Sequence, residues 1–285
     1  MSLRSAVQQR AELLSSADHR LLRELLSNPT AGAFMSAAEL AERGGVHQAA
    51  ATRLAKKLGY RGYPHLRAEL QAELLESISP AERVRRRLEH AGDAGILAAI
   101  VEDEVAALSE LPDQVSQDRL NAASRLIAAA ERTHVFGHGH ATALVDLIVR
   151  RLRRSGHLAM PLTGSGRDLA EGAAMLTSRD LVVAFALRRR PPGLRPLLDA
   201  AARQSTPVLL ITDAAGPLMG LQSTIHLSAR RGPESEFQSL TVPMAICNAL
   251  ILTLARLDTG SVAALEGLTE LIEAFEREEA RYPDR

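Results

Sequence analysis

The chain has a single cysteine, Cys247, no tryptophan, and only 3% aromatic residues. One thiol excludes an internal disulfide framework and any multi-cysteine zinc site. So few aromatics argue against stacking platforms for single-stranded nucleic acid. No window approaches the ~20 consecutive apolar residues of a membrane span. The first residues, MSLRSAVQQRAELL, lack the apolar core of a secretion signal, so a cytoplasmic protein with no membrane partner is expected.

What is present is a chain of 285 residues, 46% hydrophobic and 24% charged. At roughly 100–200 residues per domain it should hold two domains, each able to bury a core. Net charge is zero, 34 basic against 34 acidic residues, which taken alone speaks against a nucleic-acid partner. The average hides an asymmetry. From Arg43 to Arg67 lie Arg43, Arg53, Lys56, Lys57, Arg61 and Arg67 without one Asp or Glu, and Lys56 and Lys57 are the only lysines. A basic interaction face and a chance gap in an arginine-rich composition both fit that stretch before its pattern is considered.

The expected organisation is a helical domain over 1–78, a helical connector over 79–131, and an α/β domain over 132–285. In the first, Leu13, Leu14, Ala17, Leu21, Leu22 and Leu25 recur at helical spacing and Asn28-Pro29 ends the run. Ser36 before Ala37-Ala38-Glu39 reads as a capping box opening a helix through Arg43. Gly44-Gly45 breaks it, a second helix runs from about His47 to Leu58, and another starts near His65. In the connector, Gly92 and Pro112 are expected to break the helices, and a helix from about Gln117 leads onward. From Thr133 short apolar runs, His134–Phe136, Leu158–Leu162, Leu181–Ala186, Pro207–Ile211 and Thr224–Leu227, alternate with helical patterns. That alternation predicts a five-stranded, mostly parallel sheet flanked by helices. A last, acidic amphipathic helix is expected from about Ser261.

The segment Ser36–Leu58 has the shape of a helix-turn-helix, with Ala41 small where the helices cross and Val46, Leu54 and Leu58 anchoring the second helix. His47, Gln48, Thr52, Arg53, Lys56 and Lys57 are left on outward faces. A recognition helix needs this: residues near its start reach base edges in the major groove and cations beyond hold phosphates. Arg53 and Gln48 suit bidentate readout of guanine and adenine. Arg61 and the Tyr63 hydroxyl are expected on phosphates, and Ser36 joins the candidate DNA-binding set. An ordinary helical hairpin with a solvated basic face is the alternative.

The run AELAERGGVHQAAATRLAKKLGYRGYPHLRAEL resembles the N-terminal domain of the RpiR/MurR family of bacterial transcriptional regulators. The Leu-Gly-aromatic-x-Gly-aromatic segment that follows the recognition helix in that family is here Leu58-Gly59-Tyr60-Arg61-Gly62-Tyr63. Two places depart: His47 and Ala50 stand where the family commonly has Ser and Thr, so no operator sequence is implied. The resemblance implies a double-stranded DNA partner with an inverted-repeat operator and a homodimer or homotetramer.

In the second domain, Phe136-Gly137-His138-Gly139-His140-Ala141-Thr142 places a glycine turn between a strand and a helix. Backbone N–H groups in such a turn favour an anion, although a lone G-x-G is equally a tight turn. Thr142 stands where a dinucleotide fingerprint needs its third glycine. From Thr133 to about Leu257 the pattern resembles the SIS domain, the sugar-phosphate isomerase or binding fold that follows the helix-turn-helix in that family. The resemblance implies a phosphate held by hydroxyls in a G-x-G-x-S turn and an S-x-S-G-x-T loop. Gly137 and Gly139 are kept, but Ala141 replaces the serine. Ala186, Leu187, Arg188, Arg189, Arg190 and Pro191 occupy the second loop.

Three arginines therefore stand where the hydroxyl clamp would be. Guanidinium forks pair with carboxylates and phosphates. One reading keeps a small anionic effector held by Arg188, Arg189 or Arg190 and the turn at Gly137–Thr142; the other leaves a solvated or subunit-contact surface. Thr163 and Ser165 follow the second strand, and Glu234 and Glu236 precede a long helix; all are candidates for the same mouth. His138 and His140 are read as polar groups lining an anion pocket rather than metal ligands, because no nearby Cys or carboxylate completes a set. No metal, cofactor or catalytic residue is expected. An aldose–ketose isomerase with Glu236 or His138 as base is the enzymatic alternative, against which the missing hydroxyls and the DNA reader both argue.

Overall fold

In the computed structural model the described residues are 3–27, 29–77, 79–92, 95–164, 166–213, 221–233 and 236–281. Two units form. One comprises Met1–Asp93 with Pro233–Phe237, the other Ala94–Gly232 with Gln238–Arg285. The expected connector is divided between them.

The helical unit runs α1 (Leu3–Gln9), α2 (Ser16–Ser27), α3 (Pro29–Phe34), α4 (Ala37–Arg43), α5 (Ala49–Lys57), α6 (Tyr63–Ser77) and α7 (Pro80–Ala91). Its core gathers Leu21, Leu22 and Leu25 of α2, Leu40 of α4, Leu54 of α5, and Leu58, Tyr60 and Leu66. The short α3 was not expected. The helix expected from near His65 starts earlier, at Tyr63, because Pro64 in the first helical turn lacks only an N–H that would go unpaired there.

The second unit contains α8 (Ile96–Gln114), α9 (Gln117–Ala129), β1 (Arg132–Phe136), α10 (Thr142–Arg154), β2 (Ala159–Leu162), α11 (Arg167–Ala174), β3 (Asp180–Ala186), α12 (Leu194–Arg203), β4 (Val208–Thr212), β5 (Ile225–Ser228), α13 (Thr241–Leu257) and α14 (Gly260–Arg281). Pro112 does not break α8 as expected. It lies inside the last turn, where the helix ends two residues later at Gln114.

All strand pairings are parallel, in the order β2-β1-β3-β4-β5. Successive residues of β3 point to opposite faces, and both faces are covered. Leu181, Val183 and Phe185 enter a core with α9, α10 and α13, while Val182, Ala184 and Ala186 enter one with α11 and α12. This is why the strand reads as an uninterrupted apolar run. The chain leaves β1 toward β2 and then returns past β1 to β3, so the carboxyl ends of β1 and β3 flank the point where strand order reverses. In open α/β sheets ligands bind there.

Candidate DNA-binding surface and effector cleft

The helix-turn-helix is built by local rules that can be followed bond by bond. Ser36 caps α4: its hydroxyl accepts the Glu39 N–H at 3.2 Å, and the Glu39 carboxylate accepts the Ser36 N–H at 2.7 Å. The helix stops in a Schellman motif, with Val46 N–H on the Ala41 carbonyl at 2.9 Å and Gly45 N–H on Glu42 at 3.0 Å. Gly45 has φ +59, which a side chain would resist. Helix α5 ends the same way, with Tyr60 N–H on Ala55 and Gly59 at φ +87. Two arginines from the neighbouring segments brace these ends. Arg20 donates to the Gly44 carbonyl at 3.1 Å and Arg10 to the Leu58 carbonyl at 3.1 Å.

On that frame Ala50, Ala51, Leu54 and Ala55 of α5 are buried. His47, Gln48, Arg53 and Lys56 are exposed, as is Arg61 beyond the helix, and Thr52 is half-buried. The His47 ring also accepts the Ala49 N–H through Nδ1 at 3.3 Å, serving the open N-terminus of α5.

One expectation needs correction. Tyr63 is not a phosphate contact: its side chain is buried and its hydroxyl donates to the Met35 carbonyl at 3.0 Å. Burial pushes that phenol up to about 12. Lys57 is exposed, and its ammonium donates to Asp18 at 2.5 Å. Burial raises the Asp18 carboxyl, but Lys57 and the N–H and hydroxyl of Ser15 outweigh that and hold it below the usual range. A buried carboxylate needs such a partner, and Lys57 is within reach.

In the α/β unit, β1 ends at Phe136 and the chain folds back at Gly137. A Cβ there would stand 2.8 Å from Val145 Cγ2 and 3.0 Å from the Ala141 carbonyl oxygen, so only glycine allows the turn. Gly139 has φ +62. His138, Gly139, His140 and Thr142 are exposed and Ala141 is buried; the Thr142 hydroxyl donates to the Gly139 carbonyl at 2.8 Å. His134 belongs elsewhere, inside β1 and 2% exposed, and burial lowers its pKa. Thr163 is exposed beyond β2, whereas Ser165 and Glu234 lie outside the described residues.

The arginine loop follows β3 directly. Arg188 is half-buried and Arg189 and Arg190 are exposed. Arg188 has φ +68, a left-handed conformation that side chains other than glycine adopt seldom. Its backbone N–H donates to the Asp213 carboxylate, which holds the loop in place. Asp213 lies just past β4 and is clasped by Arg231, just past β5, at 2.7 and 3.3 Å. Both side chains are 6% exposed. Arg231 also donates to the Ser239 carbonyl at 3.0 Å, and Asp213 Oδ1 has no partner among the described residues.

This pair was missed in the sequence. Its signal was a charged residue closing the apolar run VLLITD, with its partner 18 residues on. Glu236 is also corrected. It belongs to the helical unit, where its carboxylate accepts from Arg87 at 3.3 Å and lies 3.1 Å from His90 Nδ1. The nearly buried Arg87 guanidinium requires that counter-charge.

A helix-turn-helix with a basic outer face is joined here to a parallel α/β domain in which β1 and β3 flank the reversal of strand order. Residues 1–77 match the helix-turn-helix domain of the rpiR family. The N-terminal domain of the chain is therefore similar to the helix-turn-helix domain of that family. It is 25% identical over 260 residues to the HTH-type transcriptional regulator HexR of Pseudomonas aeruginosa, covering 91% of this chain and 88% of HexR. It is also 25% identical over 215 residues to the Bifunctional protein glk of Paraburkholderia xenovorans. That match covers 74% of this chain but spans only 33% of the relative's length.

Among solved structures, the sugar isomerase domain of an RpiR transcription factor from Sphaerobacter thermophilus has a TM-score of 0.56 at 22% identity. It covers 61% of this chain and 98% of that one. The Vibrio vulnificus NanR protein complexed with ManNAc-6P has a TM-score of 0.56 at 18% identity, covering 94% and 97%. These likenesses define the fold.

Proposed function

We propose that the protein binds double-stranded DNA at an inverted-repeat operator as a homo-oligomer, acts as a repressor in the cytoplasm, and is released or retained by a small anion. The observation that carries the reading is α5. Its buried face is apolar, its ends are braced, and His47, Gln48, Arg53 and Lys56 stand exposed on the other side. Gln48 and Arg53 read base edges; Lys56 and Arg61 hold phosphates.

The effector enters at the carboxyl ends of β1 and β3. Arg188–Arg190 and the N–H groups of Gly139–Ala141 supply positive character there, and the Asp213–Arg231 pair presets the loop. The effector is a sugar phosphate or a carboxylate; NanR, a structural neighbour, was solved with ManNAc-6P. An effector that favours one arrangement of the paired domains shifts operator affinity through linkage, and the operator shifts effector affinity by the same factor.

The test is thermal unfolding across sugar phosphates and small carboxylates. A ligand at a hundredfold its Kd stabilises the folded state by about 2.7 kcal/mol, and Arg188→Ala with Arg190→Ala should abolish the shift. The loss of the hydroxyl clamp favours a second reading, a regulator without small-molecule input. A flat response across both ligand classes would select it. Turnover of a phosphosugar would instead revive the isomerase reading.

A further inference from the structure

Besides exposed apolar residues on α8 such as Leu97 and Val105, two features of the α/β unit are left uncovered by its own fold. One is the far half of α14. Ser261 at its start is buried, and Ala264 stands close to Gly156. From Thr269 to Glu278 every residue is exposed. These ten residues rise about 15 Å. They carry Leu271, Ile272 and Phe275 on one stripe, 57, 44 and 69% exposed, with Glu270, Glu273, Glu276 and Glu278 against a single Arg277.

The other is a groove of about 360 Å³ between α11 and α12, on the sheet face away from α10 and α13. Leu169, Ala173 and Leu197 form its floor, and the exposed Ala170 and Pro196 its walls. Among the described residues the one charged residue lining it is Arg203, at the end of α12.

We infer that the far half of α14 docks into the α11–α12 groove of a second copy of this chain, reciprocally about a twofold axis. An apolar stripe at i, i+1 and i+4 on an acidic helix meets a small-residue groove that ends in a cation, the usual helix-in-groove arrangement. Pairing α14 with another α14 would set glutamates against glutamates, so the self-pair is disfavoured and the groove is the complementary surface. Symmetry supplies two such contacts, each chain giving a helix and taking one. The inference rests on the homo-oligomer reading and assigns its surface.

The experiment is sedimentation velocity on the full chain, with far-UV circular dichroism as a check on folding. Phe275→Asp spoils the helix and Ala170→Arg fills the groove, both at positions exposed in the single chain. The wild-type chain should associate at micromolar concentration, and each variant should raise the dissociation constant at least tenfold. An equimolar mixture of the two variants keeps one sound helix facing one sound groove, and should associate more tightly than either alone. Wild-type association unaffected by both variants overturns the surface and leaves the homo-oligomer standing; a monomeric wild type overturns both. A response to only one variant, or no recovery in the mixture, also overturns the docking.

Discussion

Arg53, exposed on α5, and Tyr63, buried beneath it, separate the proposed reading of DNA from the holding of the helix that would do it. Arg53→Ala removes an exposed guanidinium and should weaken operator binding by about 1–3 kcal/mol while leaving random DNA nearly unchanged. Titration of both DNAs at one salt concentration checks it; equal losses would make Arg53 a phosphate contact. Tyr63→Phe deletes a buried donor to Met35 and should cost about 1 kcal/mol of stability, seen in urea unfolding. Its operator affinity for the folded fraction should not change.

The histidines supply a pH response at the same scale. His134 is buried on β1, its ring nitrogens are without hydrogen-bond partners among the described residues, and burial lowers its pKa. Burial, then Arg119, lowers His226 as well. A histidine with a lowered folded pKa binds its proton more readily when unfolded. Stability should therefore hold above the unfolded value near 6.5 and fall as pH drops below it. His134→Leu should flatten part of that fall in urea midpoints between pH 7 and 5. Asp180 acts at lower pH. Burial raises its carboxyl, but Arg132 at 2.8 and 2.9 Å and Thr177 hold it down, so its contribution is lost only as pH falls below about 4.

At the scale of elements, the α4–α5 pair depends on its ends. Ser36→Ala removes the hydroxyl of the capping box and should cost about 1 kcal/mol, measurable by thermal unfolding of the helical unit. Helix ends were also where the sequence spoke most clearly: Ser36, Gly45 and Gly59 each mark a boundary that the structure places within a residue or two. The strands were legible because parallel strands buried on both faces leave unbroken apolar runs such as Leu181–Ala186. Pro112 misled, since a proline near a helix end costs little and leaves no break. Side-chain direction was harder. Nothing near Tyr63 in the chain shows that Met35 will offer it a carbonyl, and nothing near Lys57 announces Asp18. The Asp213–Arg231 pair joins two strand ends that only the sheet order brings together.

At the scale of the whole molecule, the first 77 residues match the rpiR helix-turn-helix domain and the second unit holds the parallel sheet, the two parts from which the proposed regulator is built. No single helix among the described residues is long and apolar enough to cross a membrane. Reading DNA through α5 is the central claim, and its most direct test is selection of genomic fragments by the purified full chain, with sequencing of what is retained. The account predicts enrichment of a few inverted-repeat sites with half-site centres about one helical turn, or a multiple, apart, and affinity that falls steeply with salt. Uniform retention of all fragments, or retention of none, would contradict it.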